Sequence, residues 1–352
     1  MAKSEERGEE PQAPSSRFAT RDSPVVVIQT AFLGDVVLTT GLLAYLAERF
    51  GPVDVVTTPA AAALLETHPA VRRVLVYDKR GADRGIGGLV RTAGKLRRAG
   101  YARAYLPHRS VRSAALALLA GIPERIGFAG SAGGLAYTRA VPRPATGHEA
   151  ERILALAQPD RGLPARVALG LTAQDRHEAA AWLAAHGVAQ PFVAMAPGSI
   201  WGTKRWPGYP ELAARIAEPV VIIGGPEDRA LGEAIAAVAP DRVHVAAGAL
   251  SLRGSAALLE RARLLVTNDS APLHLGSAVG TRTVAIFGPT IPGFGFGPQG
   301  GSDRIVELTG LPCRPCSTHG PEVCPLGHHR CMRELGVDVV IAALGERGAD
   351  SG

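Results

Sequence analysis

Long apolar runs are missing from this chain. No stretch of about 18 apolar residues occurs in its 352 positions, so no membrane-spanning helix is expected. Cysteine is scarce: four residues, all between Cys313 and Cys331. That pattern argues against a secreted disulfide scaffold and makes the cytoplasm the expected compartment. The opening "MAKSEERGEEPQAPSSRFATRDSP" has no apolar segment behind its charges, so it does not read as a secretory signal. Residues 1–23 are expected to be a disordered extension. Aromatic residues make up only 5%. With no recognition helix, RNP-type sequence or aromatic ladder beside the positive charge, nucleic acid is not an expected partner. No GxGxxG opens either half, which disfavours a dinucleotide dehydrogenase, and no GxSxG elbow supports a hydrolase.

What is present is ample core material, 46% hydrophobic residues against 20% charged, over a length that suits two domains. Short β-branched runs alternate with alanine- and leucine-rich helical stretches. Strands are expected at 25–29, 53–57, 74–76, 104–106 and 125–128, with helices at 36–49, 60–67, 88–99, 110–120 and 149–157. The pattern restarts at "LTAQDRHEAAAWLAAHG", where Thr172 is a cap and Gly187 a stop. Strands follow in "PFVAMAP", "PVVIIGG", "VHVAAG", "RLLVTND" and "TVAIFGP". Apolar strands without strict polar alternation belong in parallel sheets covered on both sides. The fold class is therefore α/β, with two Rossmann-like α/β/α domains, 24–165 and 166–335, facing across a cleft. Residues 336–352 follow as a helix and tail.

Ligands in such sheets bind beyond the C-terminal strand ends, and the informative residues cluster there. Asp35, behind "VVVIQTAFLG", is either a helix-capping carboxylate or a base within reach of a substrate hydroxyl. "APGSIWGTKRWPGYPEL" sets Ser199, Thr203 and Lys204 between a strand and a helix, where hydroxyls, backbone N–H groups and one ammonium could hold a phosphate. It is not a P-loop: the glycine-to-lysine spacing differs, and Arg205 stands where Ser or Thr should be. Trp206 reads as a core anchor. In "VVIIGGPEDRALGEAI", Glu227 could cap a helix or accept from ribose hydroxyls. Leu250 and Leu252 offer an apolar wall or belong to the core, with Ser251 as a cap. "LLVTNDSAPLHLGSAVGTRTVAIFGPT" ends a strand on Asn268, Asp269 and Ser270, places His274 one helical turn later, and closes on Gly288, Pro289 and Thr290.

These segments, together with "PHRSVRSAALALLAGIPERIGF" and the closing "CRPCSTHGPEVCPLGHHRCM", resemble the ADP-heptose:lipopolysaccharide heptosyltransferases of glycosyltransferase family 9, nearest to the members that add the second heptose. The resemblance runs over residues 25–344. It implies the GT-B fold, with acceptor held mainly by the first domain and sugar nucleotide by the second. It also implies inversion at the anomeric centre, with no cofactor or catalytic metal. By this resemblance Asp35 is the general base. Lys204, helped by Ser199 and Thr203, holds the diphosphate of ADP-heptose. Glu227 meets the ribose and Leu250 lies beside the base. Asp269 holds heptose hydroxyls, while Ser270, Ala271, Pro272, Leu273 and His274 line the donor site. The family often has "TTP" where this chain has Thr39, Thr40 and Gly41, a difference that bears on the helix start. Rival readings are transfer of another nucleotide-linked sugar, nucleotide-sugar epimerisation and, furthest off, sensing.

From Arg72 to Arg112 there are twelve Lys or Arg against two Asp. This is either a solvated basic surface or a face for an anionic partner. On the second reading Arg109 and Arg112 meet phosphate or carboxylate on an inner-core lipopolysaccharide acceptor, with transient contact to the inner membrane. A monomer is expected. Cys313, Cys316, Cys324 and Cys331 have the number and rough spacing of a structural zinc site; reduced thiols and disulfide pairing are the alternatives.

Overall fold

The computed structural model of the chain describes residues 24–159 and 165–345. The expected disordered extension at 1–23 and the tail at 346–352 lie outside those residues. The first half runs β1 (Val25–Ile28), α1 (Leu33–Phe50), β2 (Val53–Thr57), α2 (Pro59–Leu65), β3 (Val71–Val76), α3 (Gly85–Ala99), β4 (Arg103–Leu106), α4 (Val111–Leu119), β5 (Glu124–Phe128), β6 (Arg139–Val141) and α5 (Glu149–Leu154). The second half runs α6 (Ala173–Ala185), β7 (Val193–Ala196), α7 (Tyr209–Arg215), β8 (Val220–Ile222), α8 (Arg229–Ala236) and β9 (Val243–Val245). It continues with α9 (Leu252–Arg261), β10 (Leu264–Asn268), α10 (Ala271–Val279), β11 (Thr283–Phe287), β12 (Arg304–Glu307), α11 (Arg330–Arg333) and α12 (Val337–Gly345).

Both halves build a six-stranded, wholly parallel sheet with one topology: β3-β2-β1-β4-β5-β6 and β12-β11-β10-β7-β8-β9. The inner strands are buried along their whole length, as unbroken Val/Ile/Leu runs require when helices cover both faces. Strand order reverses between β1 and β4 and again between β7 and β10, which opens a crevice at each reversal. The two domains meet: one buried cluster joins Val37 and Leu42 of α1 to Leu258 of α9 and Leu275 of α10. Among the described residues no helix is long and apolar enough to cross a membrane.

The strands missing from the sequence reading, β6 and β12, are short edge strands with charged ends, and β3 starts earlier than expected because Arg72 and Arg73 lie within it. Past Ala165 the chain still runs against the first domain. Thr40 Oγ1 accepts from Ala168 N at 3.1 Å, and Thr67 Oγ1 donates to Gly170 O. At Gly41 an added Cβ would meet Arg166 O at 3.2 Å. Glycine there admits the returning link, and α1 passes through it unbroken.

Candidate active site

The first crevice opens where β1 ends. The cap position of α1 belongs to Phe32, not Asp35; Asp35 sits in the first turn and its Oδ2 accepts from Phe32 N at 3.1 Å. The carboxylate thus helps to satisfy the helix start, but that is not its whole character. Burial, opposed by the Phe32 hydrogen bond and reinforced by the nearby Glu149 charge, pushes its pKa up to about 6. A carboxylate in that range is ionised near neutrality yet basic enough to take up a proton.

The second crevice lies between the loops after β7 and β10. Lys204 Nζ reaches across it to Asp269 Oδ2 at 2.6 Å, both side chains about nine-tenths buried. Thr290 Oγ1 donates to the same oxygen at 2.6 Å. Thr290 is in turn held by Arg314, whose Nη2 donates to Thr290 O at 2.8 Å and to Glu307 Oε2 at 2.6 Å. His274 completes the group. It is buried, its Nδ1 has no partner among the described residues, and desolvation pushes its pKa down to about 4, so the ring is neutral. Asp269, His148 and Lys204 all act electrostatically on it. A Cβ added to Gly34 would lie 2.6 Å from His274 Cδ2. The residue before Asp35 therefore lies against α10 of the second domain, and the two crevices face one another there.

The remaining residues expected in the donor site divide. Ser199 is half-buried, its Oγ accepting from Trp201 N at 3.2 Å. Thr203 is already engaged: its hydroxyl donates to Pro321 O and its carbonyl accepts from His329 Nε2 at 2.8 Å. Glu227 is exposed, and the capping it could have supplied comes from Asp228, whose Oδ2 accepts from Gly225 N at 3.1 Å. Leu250 and Leu252 are half-buried against the large core, and Ser251 caps α9. Ser270 fills the cap position of α10, with Ala271 and Pro272 half-buried in its first turn. The Leu273 side chain packs with Ala285 and Phe287 in a small core. Trp206 is buried, donating to Leu335 O at 3.0 Å, as a core anchor should.

The basic run does not form one face. Arg72 and Arg73 bind the Asp54 carboxylate, and Arg103 binds Glu124; all three lie toward the N-terminal strand ends, away from the crevice. At the opposite edge, Lys79 Nζ donates to Thr30 O at 2.6 Å and Arg112 Nη1 to Lys79 O at 3.5 Å. Arg109, exposed, donates to Gly130 O at 2.6 Å. Burial, with Arg80 and Arg112 nearby, pushes Lys79 down. Such a crowd of cations is eased by an anion.

A family model described as glycosyltransferase family 9 (heptosyltransferase) matches residues 89–324, well over half of the chain. The chain belongs to glycosyltransferase family 9. It is 28% identical over 313 residues to lipopolysaccharide heptosyltransferase 2 of Escherichia coli (strain K12), covering 81% of this chain and 88% of that one. The solved structure of E. coli ADP-heptose lps heptosyltransferase II superposes with a TM-score of 0.75 at 25% identity, over 91% of this chain and 97% of the other. A family 9 glycosyl transferase from Veillonella parvula superposes with a TM-score of 0.81 at 24% identity, over 92% and 96%. Both support the two-domain GT-B architecture. This family 9 protein is accordingly a glycosyl-transferring enzyme.

In this glycosyltransferase the cysteine-bearing segment contributes something the sequence did not signal. It folds over the loop after β7 that carries Thr203 and Lys204: Gly320 lies against both, Gly202 N donates to Glu322 Oε2 at 3.2 Å, and His319 stacks on Trp201. All four cysteines are free thiols, which removes the disulfide reading. Cys313, Cys316 and Cys324 border one cavity, yet among the described residues no three His, Cys, Asp or Glu converge as metal ligands. The zinc reading therefore finds no donor set in this arrangement. Burial pushes Cys331 up to about 11, keeping it protonated.

Proposed function

We propose that the chain transfers L-glycero-D-manno-heptose from ADP-heptose to the inner core of lipopolysaccharide, adding the second heptose to heptosyl-Kdo2-lipid A with inversion. The observation that carries this reading is the buried Lys204–Asp269 pair at the second crevice, with Gly34, the residue before Asp35, lying against His274. The acceptor hydroxyl loses its proton to Asp35 as its oxygen bonds to the anomeric carbon. The bond from that carbon to the diphosphate oxygen breaks, and the electron pair leaves with ADP. Lys204 compensates the charge that grows on the diphosphate. Donor binding draws the ammonium toward the phosphates, which frees Asp269 to accept from sugar hydroxyls. In this reading Glu227, exposed beyond β8, meets the ribose, and Leu250 lies beside the base. The neutral His274 ring adds no positive charge that would compete for the diphosphate. Lys79, Arg109 and Arg112 receive phosphate or Kdo carboxylate on the acceptor.

The similarity to heptosyltransferase 2 of E. coli supports the second-heptose assignment. A product assay with a panel of sugar nucleotides, each offered to Kdo2-lipid A and to heptosyl-Kdo2-lipid A, tests it. The expected product is one heptose added to the second acceptor from ADP-heptose. Equal or better transfer to Kdo2-lipid A would overturn the position, and a better donor would overturn the sugar.

A further inference from the structure

α3 and α4 pack side by side over one face of the first sheet, burying Ala93 and Leu96 of the first and Ala114, Leu116 and Ala117 of the second. Their outward sides are unusual. Ile86 and Val90, one turn apart on α3, are 80% and 55% exposed, and Leu118 on α4 is 49% exposed. Leu135, in the short turn whose Gly133 lies against Ser110 and Val111 at the start of α4, is fully exposed. Single exposed apolar residues are ordinary, but here they share neighbouring elements. From Arg84 to Pro123 the sequence contains no Asp or Glu. Arg84, Lys95 and Arg98 are exposed and have no carboxylate partner among the described residues.

We propose that this α3/α4 face docks on the surface of an anionic lipid bilayer, with Ile86, Val90, Leu118 and Leu135 entering the headgroup layer and Arg84, Lys95 and Arg98 meeting lipid phosphates. Apolar tips among unpaired cations are the combination that an interfacial site uses, because burial of the tips and attraction to anionic headgroups add. The face also sits where docking is useful. Arg112, on α4, bonds Lys79 O, and Lys79 bonds Thr30 O at the mouth of the first crevice. A bilayer against α3 and α4 would hold that mouth close to a lipid-anchored acceptor. In that respect the inference rests on the acceptor proposed above.

The test is flotation of the full chain with vesicles of phosphatidylglycerol and phosphatidylethanolamine, and with phosphatidylcholine vesicles as the neutral control. The wild type should float with the anionic vesicles only, and less as salt rises. Arg84→Glu/Lys95→Glu/Arg98→Glu should weaken partitioning by about 100-fold or more. Ile86→Ser/Leu118→Ser/Leu135→Ser should also weaken it, leaving a residual binding that salt abolishes. Both variants should keep wild-type turnover on a de-acylated, soluble acceptor and lose it on vesicle-borne acceptor. Failure of the wild type to bind anionic vesicles, binding unaffected by either variant, or a dimer through this face in place of vesicle binding would overturn the proposal. Vesicle binding without heptosyl transfer to either acceptor would instead overturn the proposed function and leave the docking face standing.

Discussion

Lys204 and Asp269 form a buried ion pair of 2.6 Å across the second crevice, and Thr290 donates to the same carboxylate oxygen at 2.6 Å. The cation proposed to receive the donor's diphosphate is therefore already occupied by the carboxylate proposed to receive its sugar. Lys204→Ala should weaken ADP-sugar and ADP binding while changing adenosine binding much less. It also leaves a buried carboxylate without its cation, so the variant should lose about 3–5 kcal/mol of stability. The double change Lys204→Met/Asp269→Leu should recover part of that stability without recovering activity. Titration with the three ligands and a denaturant melt check both points; equal losses for all three ligands would mark structural damage.

Asp35 carries a pH signature. With its pKa at about 6, the rate should fall on the acid side with a limb near pH 6, as the base becomes protonated. Asp35→Ala should lower turnover ~100- to 10,000-fold and leave donor affinity intact. A limb near pH 4 in the wild type would contradict the burial argument.

The same carboxylate should be a burden on folding. Its pKa is raised from 3.8 to about 6, so ionisation disfavours the folded state. The penalty is absent below pH 3.8, grows between pH 3.8 and about 6, and is full above that, at about 2–3 kcal/mol. Asp35→Asn, which keeps an acceptor for Phe32 N, should melt higher than wild type at pH 8 and equally at pH 3.5. A variant that melts lower at pH 8 would show that the carboxylate serves mainly as a cap.

Gly34 should tolerate no side chain while His274 is in place, since a Cβ would stand 2.6 Å from the imidazole. Gly34→Ala should cost about 1–3 kcal/mol and most of the activity by forcing the two domains apart. Gly34→Ala/His274→Ala should regain stability relative to Gly34→Ala. Absence of any such compensation in thermal melts would count against the contact.

Glu227 and Asp228 are neighbours in different surroundings: Glu227 is exposed, while Asp228 accepts from Gly225 N. Asp228→Ala should lose about 1 kcal/mol by removing the acceptor for Gly225 N. Glu227→Ala, at an exposed position, should change stability little and weaken binding of adenosine and ADP alike. The reverse pattern in melts and titrations would exchange their roles.

Much of this was readable from the sequence. The inner strands are continuous apolar runs, and caps such as Thr172 and Ser251 announce their helices, because those signals are local. The residues brought together at the crevice were legible as loops after strands, since a parallel sheet gathers such loops at one edge. What was not legible depends on tertiary contact. Nothing in "RIVE" or "RAV" marks an edge strand, and nothing local divides Arg72 from Arg112 between opposite sheet edges. Leu273 stands in a site-like segment, yet helix periodicity turns it into the core. Thr203 is adjacent to Lys204, but its hydroxyl is claimed by Pro321, far along the chain. The folding of Gly320 and His319 over the Trp201–Lys204 loop had no signal in the sequence.

The most direct measurement is mass and linkage analysis of heptosyl-Kdo2-lipid A incubated with ADP-heptose and either wild type or Asp35→Ala. The wild type should add one heptose with inverted anomeric configuration and release ADP, while Asp35→Ala should bind ADP-heptose and leave the acceptor almost unchanged. Transfer by Asp35→Ala at the wild-type rate, or wild-type release of ADP with no heptose on the acceptor, would contradict the proposed transfer.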